Sequence, residues 1–299
     1  MRLVGNFRKH LKGILASLGF LGVGFYAFFR NRSRPVEDHP FLAQPKPLVM
    51  AHRGGMGLWP PNTLFAYEKS IQLGVDVLEM DIHMTTDGEI VVRHDPTVDA
   101  TTNGSGAICD LTLFEIKALD AGYTWTADGG QTYPFRAKGI TIPTLREVLR
   151  DIPNIRLNID IKTEDPAIVP KFAHILRDYN RLESVLVASF HDSQLAYFRK
   201  LCPQVATAAG IRETACLFIL NSFFLGAAYQ PRAEAFQPPE TYGALHLVTE
   251  RFVRAAHAHN MQVHVWTVNE IEDMRRLLDW GVDGLITDYP DHLIELLGR

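Results

Sequence analysis

Short apolar runs separated by amphipathic stretches recur along most of this chain, at 48–52, 75–82, 156–161, 184–189, 205–209, 244–248, 262–267 and 284–287. Strands that alternate with helices build a parallel sheet, because each parallel strand needs a long crossover before the next. Eight such strands are the number that lets the sheet close on itself. The pattern therefore predicts an α/β fold, a (β/α)8 TIM barrel over residues 48–299. Its outer helices fall at 63–73, 144–150, 168–179, 250–259 and 269–280.

One gap is too long for a simple strand–helix link. Between 82 and 156 lie a hairpin signal, Asp87-Gly88 followed by Ile90-Val91-Val92, and a stretch rich in Gly, Asp and Thr from 101 to 139. This predicts a small insertion after the second strand, about 87–140, on the face where barrels carry their functional loops. Ahead of the barrel, Pro35, Pro40, Pro45 and Pro47 interrupt any helix, so 35–47 is expected to be a linker. Before that, residues 13–29 (GILASLGFLGVGFYAFF) carry no charge and are bracketed by Arg8, Lys9 and Lys12 on one side and Arg30, Arg32 and Arg34 on the other. The run is at the short end of the spanning range of about 17–25 residues, and no small-residue cleavage site follows it. The expectation is a single-pass transmembrane helix retained within 1–34. Balanced flanking charge leaves the side of the membrane open.

With 46% hydrophobic and 21% charged residues the composition is that of a globular chain, and the net charge of −4 leaves no basic footprint for nucleic acid. Cys109, Cys202 and Cys216 are too scattered for a disulfide framework or a thiolate metal site. Oligomeric state is not legible.

The chemistry-bearing residues cluster at the ends of the expected strands. Glu79 and Asp81 are two apart on one strand and so share a face. At the carboxyl end of a barrel strand that face looks into the mouth, where two carboxylates repel unless a cation lies between them. Asp160 supplies a third carboxylate, and the set suits an oxygen-seeking divalent ion, Mg²⁺ or Ca²⁺. Lys162 shares the face of Asp160, and Arg53 offers a planar fork; both can hold phosphate oxygens. His52 ends the first strand and His94 ends the hairpin. Two imidazoles facing one mouth are what phosphoester cleavage requires, one taking a proton from the nucleophile and one donating to the leaving oxygen. Asp95 is read either as part of the site or as the turn residue before Pro96.

In order along the chain, His52-Arg53-Gly54-Gly55, Asn62-Thr63, Glu79-Met80-Asp81, His94-Asp95-Pro96-Thr97, Asn158-Ile159-Asp160-Ile161-Lys162, Val265-Trp266-Thr267-Val268-Asn269 and Thr287-Asp288-Tyr289-Pro290 resemble the motifs of the glycerophosphodiester phosphodiesterase family. The resemblance covers about 48–296. It implies a metal-dependent phosphodiesterase with His52 and His94 as acid and base. Glu79, Asp81 and Asp160 would be metal ligands, Arg53 and Lys162 phosphate contacts, and Trp266 a wall for the glycerol or lipid part. Two departures stand out: Pro61 occupies the place of a glutamate in the family's Pro-Glu-Asn-Thr, and Asp160 the place where many relatives carry glutamate.

A second apolar stretch, 215–229 (ACLFILNSFFLGAAY), falls in a region expected as a loop at 211–240. One reading makes it a lip that dips into the membrane and admits an acyl chain, with Phe218, Phe223 and Phe224 touching substrate; the other makes it a buried barrel helix. With the N-terminal run, the lip makes the chain look most like the membrane-anchored, lysophospholipase D-like branch of the family. Its expected partners are a glycerophosphodiester or lysophospholipid substrate and membrane lipid. The rival readings are a tethered enzyme for soluble deacylated diesters, a phosphatidylinositol-type phospholipase C, and a non-catalytic lipid-binding barrel. Water or the substrate's own glycerol hydroxyl would serve equally as nucleophile.

Overall fold

The structure, a computed structural model, describes Tyr26 and residues 28–299. Eight parallel strands form the barrel: β1 (Leu48–Ala51), β2 (Val77–Met84), β4 (Arg156–Ile161), β5 (Val185–Ala188), β6 (Ala206–Thr207), β7 (Ala235–Phe236), β10 (Gln262–Val265) and β11 (Gly284–Thr287). They are hydrogen-bonded in the order β6-β5-β4-β2-β1-β11-β10-β7. Closure between β6 and β7 rests on the single bridge Ala208–Ala235, supported by Ala209 N donating to Ala235 O at 2.7 Å and Glu234 N to Thr207 O at 3.0 Å. Leu48, Met50, Val77, Leu186 and Ile286 fill the barrel interior, while a larger apolar layer lies between strands and outer helices.

Seven of the eight expected strands are present. The sixth is not at 244–248 but at Ala235–Phe236. The expected segment forms an exposed two-residue hairpin instead, β8 (Thr241–Tyr242) with β9 (Leu245–His246), turned at Gly243 with φ +59°. The alternating pattern at 244–248 is a genuine strand signal, but a left-handed glycine beside it spends that signal on a local turn. The true sixth strand is two residues long and hemmed in by Pro231 and Pro238, too short to carry a period.

Threonine caps at Thr63, Thr112, Thr144 and Thr249 open four of the helices. Thr63 Oγ1 accepts from Ala66 N and opens the helix Leu64–Leu73, which Gly74 ends at φ +98°; Thr144 and Glu147 form a capping box on Leu145–Asp151. After β2, strand β3 (Ile90–Val92) returns antiparallel to it. The insertion beyond it carries its own small core, Val98, Ile108, Ile116, Ala121 and Ile142, and Trp125 Nε1 donates to Met56 O at 3.0 Å, tying the insertion to the loop after β1.

The expected linker packs against the barrel. Pro40–Leu42 is a 3₁₀ turn with Phe41 fully buried under the strand N-termini, and Val36 N donates to His259 O at 3.0 Å. Proline interrupted helix there as expected, but Phe41 gave the segment something to bury. The charge-free run 13–29 lies, apart from its last residues, outside the described residues. Among the described residues no helix is long and apolar enough to cross a membrane.

Candidate active site

The carboxyl ends of β1, β2, β4, β10 and β11, with the end of β3, meet at one mouth. β2 and β4 run in register, pairing Glu79 with Asn158 and Asp81 with Asp160. Because these residues are two apart on neighbouring strands, all four side chains share the inward face. The backbone beyond β1 turns sharply: Arg53 has φ 50° and Gly54 φ +80°. A Cβ on Gly54 would stand 2.8 Å from Tyr67 Cδ1, so only glycine fits there. This turn directs the Arg53 amide onto Glu79 Oε2 at 2.8 Å and brings the guanidinium Nε to 3.5 Å from Asp81 Oδ2.

Lys162 Nζ lies 3.0 Å from Asp81 Oδ1 and 2.6 Å from Asp160 Oδ2. Asn62 Nδ2 donates to Asp81 Oδ2 at 3.0 Å, and Tyr67 OH donates to Asn62 Oδ1 at 2.9 Å. The three carboxylates are therefore unlike one another. Burial, and then the Asp81 charge, push Glu79 up to about 7. Burial also raises Asp160, only partly offset by Lys162. Burial works the same way on Asp81, but Lys162 and Arg53 overcome it and hold that carboxyl below its ordinary value. Lys162 in turn is lifted above the usual lysine value: burial opposes this, and Asp160 and Asp81 prevail.

Both imidazoles are held by carboxylates through the same nitrogen. His52 Nδ1 donates to Asp288 Oδ1 at 2.6 Å, and His94 Nδ1 to Asp95 Oδ1 at 2.7 Å. In each case the carboxylate accepts a hydrogen bond from Nδ1–H, which fixes the tautomer and leaves Nε2 free to exchange a proton. Burial lowers His94 despite the pull of Asp81 and Asp95, so it is neutral near pH 7. Asp288 is itself fixed: Asn269 Nδ2 donates to its Oδ2 at 2.8 Å, and Asn269 Oδ1 accepts from its backbone N at 3.0 Å.

Trp266, just past β10, donates from Nε1 to Gln237 O at 2.6 Å. Its ring meets Phe190 edge-on, centroids 5.7 Å apart, and Phe190 lies 5.4 Å from Lys162 Nζ. The site thus has a cationic and carboxylate floor and one aromatic wall.

His52, Arg53, Glu79, Asp81, His94, Asp160, Lys162 and Trp266 all come to this mouth. Phe218, Phe223 and Phe224 do not. The segment expected as a loop is the helix Ile211–Ser222, with Leu217 and Asn221 buried against the barrel. In a (β/α)8 barrel each helix runs back from the mouth, so Phe223 and Phe224 sit at its far end, away from the aromatic wall. The lip reading is corrected accordingly: the apolar run was long enough for a helix, and one buried face is what it serves.

Three contributors were not assigned from sequence. Asp288 and Asn269 lie inside quoted motifs, but their pairing with His52 spans 236 residues of chain and has no local signature. Phe190 follows β5 between Ser189 and His191, where a lone aromatic carries no signal of a contact to Trp266, 76 residues further on.

For a divalent cation the residues are a partial match. Among the described residues no three His, Cys, Asp or Glu side chains converge as a ready cage. Yet Asp160 Oδ1 and the neighbouring Asn158 Oδ1 are buried without a hydrogen-bond partner, and Glu79 is a buried carboxylate beside another. Orphaned oxygens among anionic groups are the donor chemistry of a hard cation.

The sequence model of the glycerophosphoryl diester phosphodiesterase family matches residues 52–292. A Bacillus subtilis glycerophosphodiester phosphodiesterase is 32% identical over 294 residues, covering 94% of this chain and 96% of that relative. A human lysophospholipase D is 27% identical, with 83% of this chain and 85% of the relative covered. Among solved structures, an Oleispira antarctica phosphodiesterase in complex with the product sn-glycerol-3-phosphate superposes with a TM-score of 0.70 at 25% identity, covering 85% of this chain and 97% of that one. With the family's motifs gathered at a single barrel mouth, the chain belongs to the glycerophosphoryl diester phosphodiesterase family and is a phosphodiesterase.

Proposed function

We propose that the chain hydrolyses glycerophosphodiesters to glycerol 3-phosphate and a free alcohol, by paired imidazole catalysis on a phosphate held beside a divalent cation. The observation that carries this reading is the matched anchoring of His52 by Asp288 and of His94 by Asp95, each leaving Nε2 open at the same carboxylate-lined mouth. One imidazole takes a proton from the attacking oxygen as the new P–O bond forms, that oxygen being water, or the substrate's own glycerol hydroxyl with water then opening the cyclic phosphate. The other delivers a proton to the departing oxygen as the old P–O bond breaks. Arg53 and Lys162 offset charge on the phosphate oxygens, and the Phe190–Trp266 wall packs on the organic part.

Glu79, Asp81 and Asp160 would hold the cation, Mg²⁺ or Ca²⁺. When bound it would polarise the phosphoryl oxygens as a Lewis acid. The orphaned Asp160 Oδ1 and the raised Glu79 support it.

A lysophospholipase D activity, releasing the head group from a lysophospholipid, is the second reading, favoured by the human relative. Full-length protein in detergent, stripped with chelator and reloaded with Mg²⁺ or Ca²⁺, is to be assayed for choline release from glycerophosphocholine and from lysophosphatidylcholine. Metal-restored turnover of glycerophosphocholine is expected. Turnover indifferent to chelation would remove the cation from the proposal, and preference for the lysolipid would establish the second reading instead.

A further inference from the structure

Besides the Phe190–Trp266 wall at the mouth, a second group of exposed apolar side chains lies at the end of one outer helix. The helix Ile211–Ser222 begins just past β6 and carries the chain away from the mouth by about 18 Å, at 1.5 Å per residue. It ends on Phe223, Phe224 and Leu225, exposed to 70%, 78% and 37%, with Ile219 one turn back at 55%. Leu217 and Asn221 bury the opposite face, so these side chains have no barrel to pack on. Two neighbouring exposed phenylalanines at a helix end mark a contact surface more than a random surface does.

The place where the N-terminal segment joins the domain indicates the occupant. Ser33 Oγ donates to Tyr229 O at 2.6 Å, and Gln230 Nε2 donates to Phe29 O at 2.9 Å. A single imidazole joins the two segments: His259 bonds Gly226 O through Nε2 at 2.9 Å and Ser33 Oγ through Nδ1 at 3.1 Å. Residues 226–234 and 258–261 precede β7 and β10, which places this junction at the strand N-termini, opposite the mouth. The described end of the charge-free run therefore lies on the same side of the barrel as the exposed phenylalanines, and Phe28 there is itself 51% exposed. Cations collar the patch. Arg30 and Arg32 are exposed, Arg32 stacks on Phe28 at 4.6 Å, and Arg251 stacks on Phe224 at 4.5 Å. Aromatic and aliphatic side chains ringed by guanidinium groups match an acyl boundary under anionic headgroups.

We propose that Phe28, Ile219, Phe223, Phe224 and Leu225 form a lipid-docking face on which the barrel rests against an anionic bilayer, with its mouth turned to water. The docking stands apart from the catalytic reading; its consequence for substrate rests on that reading. A mouth turned to water takes deacylated, water-soluble glycerophosphodiesters in preference to lysolipids resident in the same bilayer.

The test uses the full chain in vesicles of phosphatidylcholine and phosphatidylglycerol at 4:1, with the phosphatidylcholine either plain or brominated on its acyl chains. Phe224→Trp adds a reporter on the docking face. Phe114→Trp adds one on the insertion at the mouth side, where Phe114 is 85% exposed. The parent's own tryptophan emission is subtracted. The Phe224→Trp emission is expected to shift to the blue and lose more than half its intensity in brominated vesicles, with Phe114→Trp unquenched. Solvent-like, unquenched emission from Phe224→Trp overturns the docking face, as does quenching confined to Phe114→Trp, which would put the mouth on the bilayer. The readout is independent of turnover, so failure of docking and failure of the catalytic reading are separable.

Discussion

Replacing Asp288 with Asn tests the role of the carboxylate behind His52 with almost no change in volume. In the parent, Asp288 Oδ1 accepts from His52 Nδ1 at 2.6 Å and Oδ2 accepts from Asn269 Nδ2 at 2.8 Å. Asn269 cannot turn its amide round freely, because its Oδ1 already accepts from the backbone N of residue 288 at 3.0 Å and from Thr287 Oγ1 at 3.2 Å. The new asparagine must therefore present its oxygen to Asn269 and its NH₂ to His52. Nδ1 then becomes the acceptor, the proton moves to Nε2, and the nitrogen facing the substrate is in the wrong tautomer to accept a proton. The imidazolium also loses its counter-charge. Where a carboxylate of this kind has been removed from a histidine in other hydrolases, the cost is about 10⁴ in kcat. Allowing for the Glu79 charge that still acts on His52, a fall of about 10²–10⁴, or about 3–5 kcal/mol of transition-state stabilisation, is expected here. The assay is kcat on saturating glycerophosphocholine, with the thermal midpoint measured on the same sample to confirm folding. A folded Asp288→Asn protein within threefold of the parent in kcat would refute the orienting role.

His52→Gln and His94→Gln should each abolish turnover of glycerophosphocholine, but a diester with a p-nitrophenolate leaving group should restore only the variant that lacks the proton donor; equal rescue of both would mean the imidazoles do not divide the two proton transfers. His264, buried inside the barrel, accepts from Gln237 Nε2 at Nδ1 and donates from Nε2 to Gln262 Oε1, and burial lowers it from 6.5 to about 4. The folded form thus binds the proton less well than the unfolded chain. Stability contributed by neutral His264 is complete above about pH 6.5 and is lost toward pH 4, by about 3 kcal/mol at most; denaturant titrations of the parent and His264→Asn across that window should show a flatter acid limb in the variant, and parallel curves would count against it. Glycerol 3-phosphate should bind at least tenfold more tightly in the presence of saturating Mg²⁺ or Ca²⁺ than after chelation, as read by isothermal titration, and equal affinities would show that cation and phosphate do not share the site.

Legibility in the sequence followed the range of the interaction. Seven barrel strands announced themselves because a buried parallel strand is largely apolar along its length, as in Leu48–Ala51 or Val185–Ala188, and needs no partner to be seen. The pair Glu79 and Asp81 was equally visible, since a period of two is local and two charges inside such a run demand a reason. Strand β7 escaped because two residues have no period, and the hairpin beside it carried a stronger local pattern. From sequence the stretch Ile211–Ser222 reads equally as a lip or as a buried helix, and the structure bears out the helix; apolar residues on more than one of its faces hide the periodicity that burial of Leu217 and Asn221 makes plain in three dimensions. The link from Asp288 to His52 is set by barrel closure alone: β1 lies beside β11, so the last strand delivers its carboxylate to the first strand's imidazole.

That closure also bears on why a chain would place two cations against a carboxylate proposed to hold metal. Asp81 accepts from Asn62 and faces Lys162 and Arg53, and is lowered accordingly, whereas Glu79 and Asp160 are raised. Counted on the floor alone, three carboxylates against Lys162 and Arg53 leave at most one negative charge, less when Glu79 carries its proton; Asp288 and Asp95, which hold His52 and His94, add their charges at its edge. Deep inside a barrel such a cluster is costly unless each charge has a partner within a few ångströms. A divalent cation would bring Glu79 fully into its ionised form and turn that floor locally positive, the right sign for a phosphodiester monoanion. The anion would then neutralise the floor and would give the two side-chain cations a partner that Asp81 no longer has to provide. In this scheme Lys162 and Arg53 are exchangeable between Asp81 and the phosphate, so the side chains that screen the empty mouth are the ones that receive substrate. The energy of pairing buried charge is shifted from protein to ligand instead of being created anew, which is how a site this strongly charged can remain folded without its ligand and still bind it.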